Sequence, residues 1–371
     1  MSVIKTKNGW AFRTSIKNPI TGERKQPYRS GFKTKKEAQF AEVEFITTFK
    51  SENYFNPSNE VMKTFINKWL NNVYKHEVQI TTFERAQQVI KTHILPEFAE
   101  YEVSTIKTYD IQQFLSDKSN SGLAQATVKI IKNVLSKAFQ TAVDWELIKK
   151  NPTERVKVPS IVKKEKEVWT AEEAKVFLEN CDQLRWLVAF TLALHTGMRR
   201  GEILALKWKN VDLEQRTIKI KESLAYTKEK GLIFKSAKTT NSVREIVIPP
   251  SLVDLLMKIK EEQKEIKRRM GPSYNNNDLV ICTEDGKPIY LRNLLRTFKR
   301  IIHRAGVKEI TLHDLRHSNA TLLMKQGINP KIVSERLGHA NVGITLDIYS
   351  HTDLEMQKES VYALDRMLNN S

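Results

Sequence analysis

The stretch from Thr311 to Ser350 limits the possible folds of this chain more than any other part of the sequence. Gly327 is typical of a helix stop, the pair Asn329-Pro330 of a turn, and Gly338 of a second stop. The pattern therefore predicts two short helices instead of one long helix, the second over Lys331–Leu337. The chain has to change direction at each stop.

Four polar side chains in this stretch suit phosphodiester chemistry: His313, Arg316, His339 and Tyr349. A guanidinium can bind two nonbridging oxygens, an imidazole can donate or accept a proton, and a phenol can act as a nucleophile. His313 and Arg316 are three positions apart, so they would share one face of the first helix. His339 would lie at the corner after the second helix, and Tyr349 would follow an accessible polar segment, Thr345–Ile348.

Two other interpretations of these residues stay open. Buried histidines and tyrosines are often only part of a core, and the sequence HDLRH could be a helix with two satisfied histidines. His313 and His317 also have the i, i+4 spacing of zinc ligands. No Glu or Cys follows in register to supply a third ligand, so the sequence favours a site without a metal.

A second group of polar residues lies upstream, after an apolar run. Leu187–Leu194 predicts a helix, and Gly197 is a plausible end for it. Arg199 follows this corner, and Glu202 lies three positions further on. A carboxylate at that spacing can hold the guanidinium in one position.

The motifs occur in a fixed order: T-G-x-R-x-x-E, then H-x-x-R, then L-G-H, and then Y. In this order they resemble the active-site signature of the tyrosine recombinase (phage integrase) family, over roughly residues 168–364. Four ordered motifs are much harder to match by chance than one. The resemblance implies an integrase, an enzyme that cuts and rejoins DNA at specific sites to integrate and excise a mobile element.

The resemblance implies a role for each residue of these motifs. Tyr349 would attack the scissile phosphate and form a 3′-phosphotyrosyl bond. Arg199 and Arg316 would stabilise charge on the nonbridging oxygens. His313 would be the general base, and His339 would donate a hydrogen bond to the phosphate.

A lysine between two predicted strands completes this set. Thr217–Ala225, Leu232–Phe234 and Val243–Ile248 predict strands, and Lys238 lies in the turn between the last two. A lysine at a hairpin tip is usually only solvated. The resemblance implies instead that Lys238 protonates the leaving 5′ oxygen, with Lys235 as the nearest alternative.

Two residues near this set have other expected roles. Glu202 would support Arg199 from behind, and Arg244 would contact a phosphate or nothing. The implied reaction exchanges a phosphodiester for a phosphotyrosine ester of similar energy, so it needs no nucleotide cofactor. We also expect no metal, because two arginines and a lysine supply the positive charge that a metal would.

The charge balance favours a polyanionic partner. The 371 residues contain 61 Lys and Arg against 43 Asp and Glu, a net charge of +18. The N-terminus lacks the apolar core of a signal peptide, and no apolar run reaches membrane-spanning length. We therefore expect a cytoplasmic protein with no membrane partner. Cys181 and Cys282 resemble neither a disulfide framework nor a ligand set.

Residues 1–55 form a small basic unit. Alternating residues predict two strands around a turn at Asn18–Gly22, and Thr34 would cap a following helix. The unit resembles the arm-type DNA-binding domain of integrases. Its groove-binding surface would then carry four cations, with a merely solvated charged face as the alternative: Arg13, Arg24, Lys25 and Arg29.

The rest of the chain divides into three parts. Residues 56–157 predict four helices, among them a second helix that ends at Leu95-Pro96 and a third that Thr108 caps, and they resemble the core-binding domain of the family. Residues 158–167 form a charged linker, and residues 168–371 form the catalytic domain with a C-terminal tail. The fold class is α+β multidomain, with a small N-terminal sheet plus helix, an all-α domain, and a mainly α domain with a small antiparallel sheet.

The resemblance also implies partners. The substrate would be double-stranded DNA with core-type and arm-type sites, bound by a homotetramer, with an excisionase and a DNA-bending host factor as accessory proteins. Two other functions stay open. A type IB topoisomerase-like enzyme would relax DNA without pairing two sites, and a non-catalytic DNA-binding regulator would form no covalent adduct.

The affinity for duplex DNA should fall steeply with salt, because many lysines and arginines would contact phosphates. About six such contacts correspond to a loss of roughly a thousandfold between about 50 and 200 mM salt. Fluorescence anisotropy of a labelled duplex, titrated at several NaCl concentrations, measures this slope. An affinity that barely changes over this range would contradict a phosphate-binding surface.

Overall fold

The computed structural model describes residues 3–17, 24–53, 58–158, 167–236, 243–339, 341–348, 361–362 and 365–369. The chain divides into two compact units, Met1–Val162 and Lys163–Ser371. Helices and small antiparallel sheets together form these units, as the sequence predicts. No helix in the described residues is both long and apolar enough to cross a membrane.

The N-terminal sheet is antiparallel with the order β1-β2-β5. Strands β3 and β4, which come between β2 and β5 in the sequence, form a separate two-stranded ladder. The bounds are β1 Val3–Thr6, β2 Gly9–Arg13, β3 Ile16–Lys17, β4 Arg24–Lys25 and β5 Tyr28–Phe32. The strand predicted over Trp10–Ile16 is thus divided into β2 and β3, and the strand predicted over Gln26–Phe32 is β5. The turn predicted at Asn18–Gly22 lies within residues 18–23, which are outside the described residues.

Helix α1, Lys35–Asn53, packs on this sheet. Thr34 caps it as predicted: its Oγ1 accepts from the Glu37 N–H at 3.2 Å, and Glu37 Oε2 accepts from the Thr34 N–H at 3.3 Å. Phe12 is fully buried between sheet and helix, with its ring centroid 6.0 Å from those of both Phe32 and Phe45. This small aromatic group is the core of the N-terminal sheet.

Four helical stretches follow, as the apolar stripes predict. The first stretch is α2, Met62–Trp69, which continues through a π-helical turn, Leu70–Tyr74, into α3, Lys75–Glu77. The second stretch is α4, Ile80–Val89, which continues through a π-helical turn, Ile90–Ile94, into α5, Leu95–Phe98. The other two are α6, Thr108–Asn120, and α7, Gln125–Asp144. Fully buried Phe65, Ile66 and Phe139 lie in their shared core.

Two predicted details of this region are wrong. The second helical stretch passes Leu95-Pro96 and ends at Phe98, because Pro96 occupies the first turn of α5, where a missing N–H is tolerated. Thr108 is the first residue of α6 and not its cap. The Lys107 N–H instead donates to the Asp110 carboxylate at 2.8 Å.

The C-terminal unit is mainly helical. Its first helix, α8, starts after Thr170, whose Oγ1 accepts from the Glu173 N–H at 3.2 Å in a capping box. Among the described residues up to 348, its α-helices are α8 Ala171–Glu179, α9 Leu184–Thr196, α10 Arg200–Leu204, α11 Pro250–Met270, α12 Leu291–Ala305, α13 Asp314–Lys325, α14 Pro330–Leu337 and α15 Val342–Ile348.

In the part of this unit that the structure describes, two small antiparallel sheets accompany the helices, one with the order β10-β7-β6 and one formed by the hairpin β8-β9. The bounds are β6 Val211–Asp212, β7 Thr217–Ile220, β8 Glu222–Thr227, β9 Gly231–Ser236 and β10 Arg244–Val247. The single strand predicted over Thr217–Ala225 is broken at Lys221. Its two parts pair with different strands, β7 with β10 and β8 with β9, so one side-chain alternation continues across two sheets.

An aromatic cluster joins α8, α9 and α12. Phe177 has its ring centroid 4.8 Å from Trp169, 5.1 Å from Phe190 and 5.3 Å from Phe298. All four rings are essentially buried. The main-chain N–H of Trp169 also donates to Ser318 Oγ at 2.9 Å, which connects this cluster to α13.

Phe298→Ala should destabilise the C-terminal unit by about 3–5 kcal/mol, because the substitution leaves a cavity within packed aromatic rings. Met257→Ala on α11 is the matched control, since Met257 is 55% exposed and should change stability by less than about 0.5 kcal/mol. Guanidinium denaturation followed by tryptophan fluorescence compares the two. Equal shifts in midpoint would show that the cluster does not stabilise the unit.

Candidate active site

The site starts at the corner between α9 and α10. Gly197 ends α9 in a left-handed conformation with φ of 62°, as the sequence predicts. A Cβ atom at this position would lie 2.1 Å from Leu337 Cδ2 on α14. Glycine is therefore needed both for the turn and for the close approach of α14, and Arg199 emerges directly after this corner.

Glu202 lies behind Arg199 and is almost completely buried, with 7% of its surface exposed. Its Oε1 accepts from Arg199 Nη1 at 2.9 Å, and its Oε2 accepts from the Arg199 main-chain N–H at 2.9 Å. The expected pairing of Arg199 with Glu202 is therefore present. Arg199 Nη2 also donates to the Gly338 carbonyl at 3.3 Å, just before His339.

The prediction for Arg244 is wrong. Its side chain is only 6% exposed, and its Nη2 donates to Glu202 Oε2 at 2.8 Å. Its Nε donates to the Arg336 carbonyl at 2.9 Å. Arg244 is thus a fixed, buried ion-pair partner, and no local pattern around β10 points to contacts so distant in sequence.

Arg316 on α13 is buried next to the corner between α9 and α10. Its Nη1 donates to the Gly197 carbonyl at 2.8 Å, while its Nη2 has no hydrogen-bond partner among the described residues. Burial and then the nearby charges of Arg199 and Arg244 lower the pKa of Arg316, and Glu202 offsets this only in part. The cluster holds three guanidinium groups against one carboxylate, so an anion would stabilise it.

Burial shifts the pKa of Glu202 in the opposite direction to that of Arg316. Burial alone would raise the pKa of this carboxyl, but the hydrogen bonds and charge of Arg244, followed by those of Arg199, leave the pKa below its usual value. The ionised carboxylate therefore contributes to stability above the ordinary pKa of a glutamate. That contribution is lost as the pH falls through the lowered pKa.

His339 lies at the corner after α14, where Gly338 has φ of 66°. Its Nδ1 is 2.8 Å from Thr345 Oγ1. Burial, followed by the charges of Arg316 and Arg199, lowers the pKa of His339 to about 4. The imidazole is therefore neutral at neutral pH. Thr345 is fully buried in α15, so the expectation of an accessible segment at Thr345–Ile348 is wrong at this residue.

His313 precedes α13, and its imidazole is exposed. Its ring stands edge-on to His317, with 5.0 Å between centroids. His317 is buried. Within the described ranges, no three His, Cys, Asp or Glu side chains come together as a metal site.

The remaining predicted site residues are Lys238, Tyr349 and the four N-terminal cations. Lys238 and Tyr349 lie outside the described residues. The N-terminal cations are all exposed, on or beside the short strands, and two of them stack on aromatic rings: Arg13 on Tyr28 at 5.5 Å and Arg29 on Phe45 at 5.0 Å. Arg24 and Lys25 form strand β4.

A basic helix face was missed by the sequence reasoning. Helix α12 contains no acidic residue, and its apolar side packs into the core through Leu294, Phe298 and Ile301. Its exposed side carries only cations and histidine: Arg292, Arg296, Lys299, Arg300, His303 and Arg304. Their helical spacing was a usable signal for a polyanion-binding surface.

Three segments match known protein families. Residues 167–356 match the Phage integrase family, residues 2–49 match an Arm DNA-binding domain, and residues 61–119 match the Phage integrase, N-terminal SAM-like domain. A tyrosine recombinase XerC-like protein of Caldanaerobacter subterraneus is 31% identical over 351 residues, covering 90% of each chain. The ICEBs1 integrase of Bacillus subtilis is 31% identical over 376 residues, covering 99% of this chain and 100% of that protein.

Solved structures share the fold. The Tn1549 transposon integrase in complex with transposon right end DNA superposes with a TM-score of 0.68 at 20% identity, covering 82% of this chain and 100% of that one. A lambda integrase tetramer bound to a Holliday junction gives a TM-score of 0.59 at 18% identity, covering 94% of both chains. These neighbours confirm the predicted fold class.

Glu202→Gln should destabilise the C-terminal unit by about 3–5 kcal/mol, because it leaves buried guanidinium groups without their counter-charge. Glu265→Gln is the matched control. Glu265 is 51% exposed and pairs with Arg268 at 2.8 Å, so its loss should cost less than about 1 kcal/mol. Denaturation midpoints at neutral pH compare the variants, and a Glu202→Gln midpoint equal to that of the control would contradict the assigned charge balance.

Proposed function

This chain belongs to the phage integrase family and is a site-specific tyrosine recombinase, and we propose how its residues divide the reaction. Tyr349 is the nucleophile. Its phenol oxygen forms a bond to the scissile phosphorus while the bond from phosphorus to the 5′ oxygen breaks. The products are a 3′-phosphotyrosyl linkage and a 5′ hydroxyl, and the reverse reaction on another strand rejoins the DNA.

Two residues move the protons in this proposal. His313 accepts the phenol proton of Tyr349, and its exposed imidazole before α13 can reach an incoming duplex. Lys238 donates a proton to the departing 5′ oxygen. Its assignment rests on its position in the chain between β9 and β10 and on the family resemblance. One proton leaves the enzyme tyrosine and one reaches the DNA hydroxyl, so the step is balanced.

The observation that carries the proposal is the buried arginine cluster. Arg316 has a buried Nη2 without a hydrogen-bond partner in the described residues, next to the charges of Arg199 and Arg244. A phosphate in the pentavalent transition state offers the additional negative charge that this cluster lacks. Arg199 and Arg316 bind the nonbridging oxygens, and Glu202 holds Arg199.

His339 acts as a neutral hydrogen-bond donor in this scheme. Its lowered pKa keeps the imidazole uncharged at neutral pH. When the Thr345 hydroxyl donates to Nδ1 across the 2.8 Å contact, the proton of the imidazole resides on Nε2. That N–H can then donate to a phosphate oxygen.

Charged surfaces in both units support contacts with duplex DNA. The exposed face of α12 is entirely cationic or histidine, and the N-terminal sheet carries Arg13, Arg24, Lys25 and Arg29. The basic α12 face suits core-type DNA, and the match of residues 2–49 to an Arm DNA-binding domain supports arm-type DNA as the ligand of the N-terminal sheet. We propose that residues 1–55, 56–157 and 168–371 act as arm-binding, core-binding and catalytic domains, joined by the linker 158–167.

The assembly follows from the reaction. Exchange between two duplexes requires four strand cuts, and a lambda integrase tetramer is known on a Holliday junction. We therefore propose a homotetramer on DNA that integrates and excises a mobile element, with an excisionase and a DNA-bending host factor setting the direction. Neither a topoisomerase-like enzyme nor a non-catalytic regulator is favoured, given the match to both an arm domain and the integrase family.

Tyr349→Phe should bind DNA with unchanged affinity but form no covalent complex, because it lacks the attacking oxygen. The substrate is a nicked suicide duplex that carries the junction sequence of the element encoding the protein. Denaturing gel electrophoresis detects the protein–DNA adduct. Tyr362→Phe, at an exposed position of the tail, is the matched control and should form the adduct like the wild type. An adduct with Tyr349→Phe would remove this residue as the nucleophile.

A further inference from the structure

Both oxygens of the Glu202 carboxylate are shared between the same two arginines. Oε1 lies 2.9 Å from Arg199 Nη1 and 3.4 Å from Arg244 Nη1. Oε2 lies 2.8 Å from Arg244 Nη2 and 2.9 Å from the Arg199 main-chain nitrogen. Arg244 therefore fixes the orientation of the carboxylate that holds Arg199.

Arg244 also contacts the segment that leads to His339. Its Nε donates to the Arg336 carbonyl at 2.9 Å, near the end of α14. A Cβ atom at Gly338 would lie 3.1–3.3 Å from the Arg244 side chain, so the two residues are in close contact. The Gly338 carbonyl in turn accepts from Arg199 Nη2 at 3.3 Å. One buried guanidinium thus connects the support of Arg199 to the corner that carries His339.

We infer that Arg244 is a positioning residue of the strand-cleavage reaction, which aligns Arg199 and the His339 corner around the scissile phosphate. This inference rests on the proposed function of the cluster. Arg244 does not contact DNA in this role, since its side chain is only 6% exposed and its donors face Glu202 and Arg336. It acts through the residues that bind the phosphate.

A lysine cannot replace Arg244 in this geometry. The planar guanidinium donates to Glu202 through its two Nη atoms and to the Arg336 carbonyl through Nε, so three donors in one plane meet acceptors on two helices. A lysine would place one ammonium group at one of these positions. Arg244→Lys should therefore keep the counter-charge of Glu202 but lose the fixed distance between α10 and α14.

The expected effect is on the rate of cleavage and not on DNA affinity. A shift of the phosphate ligands by about 1 Å can slow a reaction about a hundredfold. We expect Arg244→Met to form the covalent complex about 10- to 100-fold more slowly than wild type. Arg244→Lys should react at a rate between those of wild type and Arg244→Met. Anisotropy should give the same affinity for duplex DNA in all three proteins.

A change of substrate separates positioning from general damage. In a methylphosphonate at the scissile position, a methyl group replaces one nonbridging oxygen and removes the negative charge that Arg199 has to neutralise. If Arg244 acts through Arg199, the defect of its variants should shrink at least several-fold on this substrate. A defect caused by loss of fold would be equally large on both substrates.

The experiment uses the full-length protein and the suicide duplex with a phosphate or a methylphosphonate, and measures single-turnover adduct formation. Arg268→Met is the matched control, because this arginine pairs with Glu265 at 2.8 Å on the exposed side of α11 and should react like wild type. Thermal unfolding checks each variant, and Arg244→Lys provides the test if Arg244→Met does not fold.

Three outcomes would overturn the inference. Wild-type rates for Arg244→Met and Arg244→Lys on the phosphate substrate would show that Arg244 does not position Arg199. Equal defects on both substrates would assign Arg244 to stability alone, and a loss of DNA affinity would assign it to binding. If wild-type protein formed no tyrosine adduct on either substrate, the proposed function itself would fail, which is a distinct result.

Discussion

The buried carboxylate of Glu202 is the interaction on which the site depends. A buried ion pair is unfavourable unless its geometry is good and the remaining donors are satisfied, because both charges lose water. Here two arginines pair with the carboxylate, at 2.8 and 2.9 Å. Glu202 can therefore offset the loss of hydration of cations inside the protein. It also brings α10 and β10 together.

Two left-handed glycines make this arrangement geometrically accessible. Gly197 and Gly338 end α9 and α14, and each offers a main-chain carbonyl to a guanidinium of the cluster: Gly197 to Arg316 and Gly338 to Arg199. A side chain at Gly197 would collide with Leu337, and a side chain at Gly338 would crowd Arg244. The same two positions thus reverse the chain, permit close packing and orient the arginines.

The parts of this site that local spacing determines were predictable, and the parts that distant contacts determine were not. Gly197 and Gly338 end helices, and Arg316 lies in the first turn of α13, three positions after His313, so a few neighbouring residues fix each of them. Arg244 instead meets residues 42 and 92 positions away, which no local pattern encodes. The strand break at Lys221 was missed because alternation continues across both sheets.

The cluster holds three guanidinium groups against one carboxylate, and this positive excess links its stability to the proposed chemistry. Burial and the charges of neighbouring arginines lower the pKa of Arg316 and of His339, so the histidine is neutral and the arginines of the free protein carry electrostatic strain. A phosphate would relieve that strain, and the trigonal-bipyramidal transition state, with more charge on its equatorial oxygens, would relieve more of it. Glu202 limits the repulsion enough for the protein to fold, yet leaves a positive excess for the substrate, because a second buried carboxylate would neutralise the charge that binding requires.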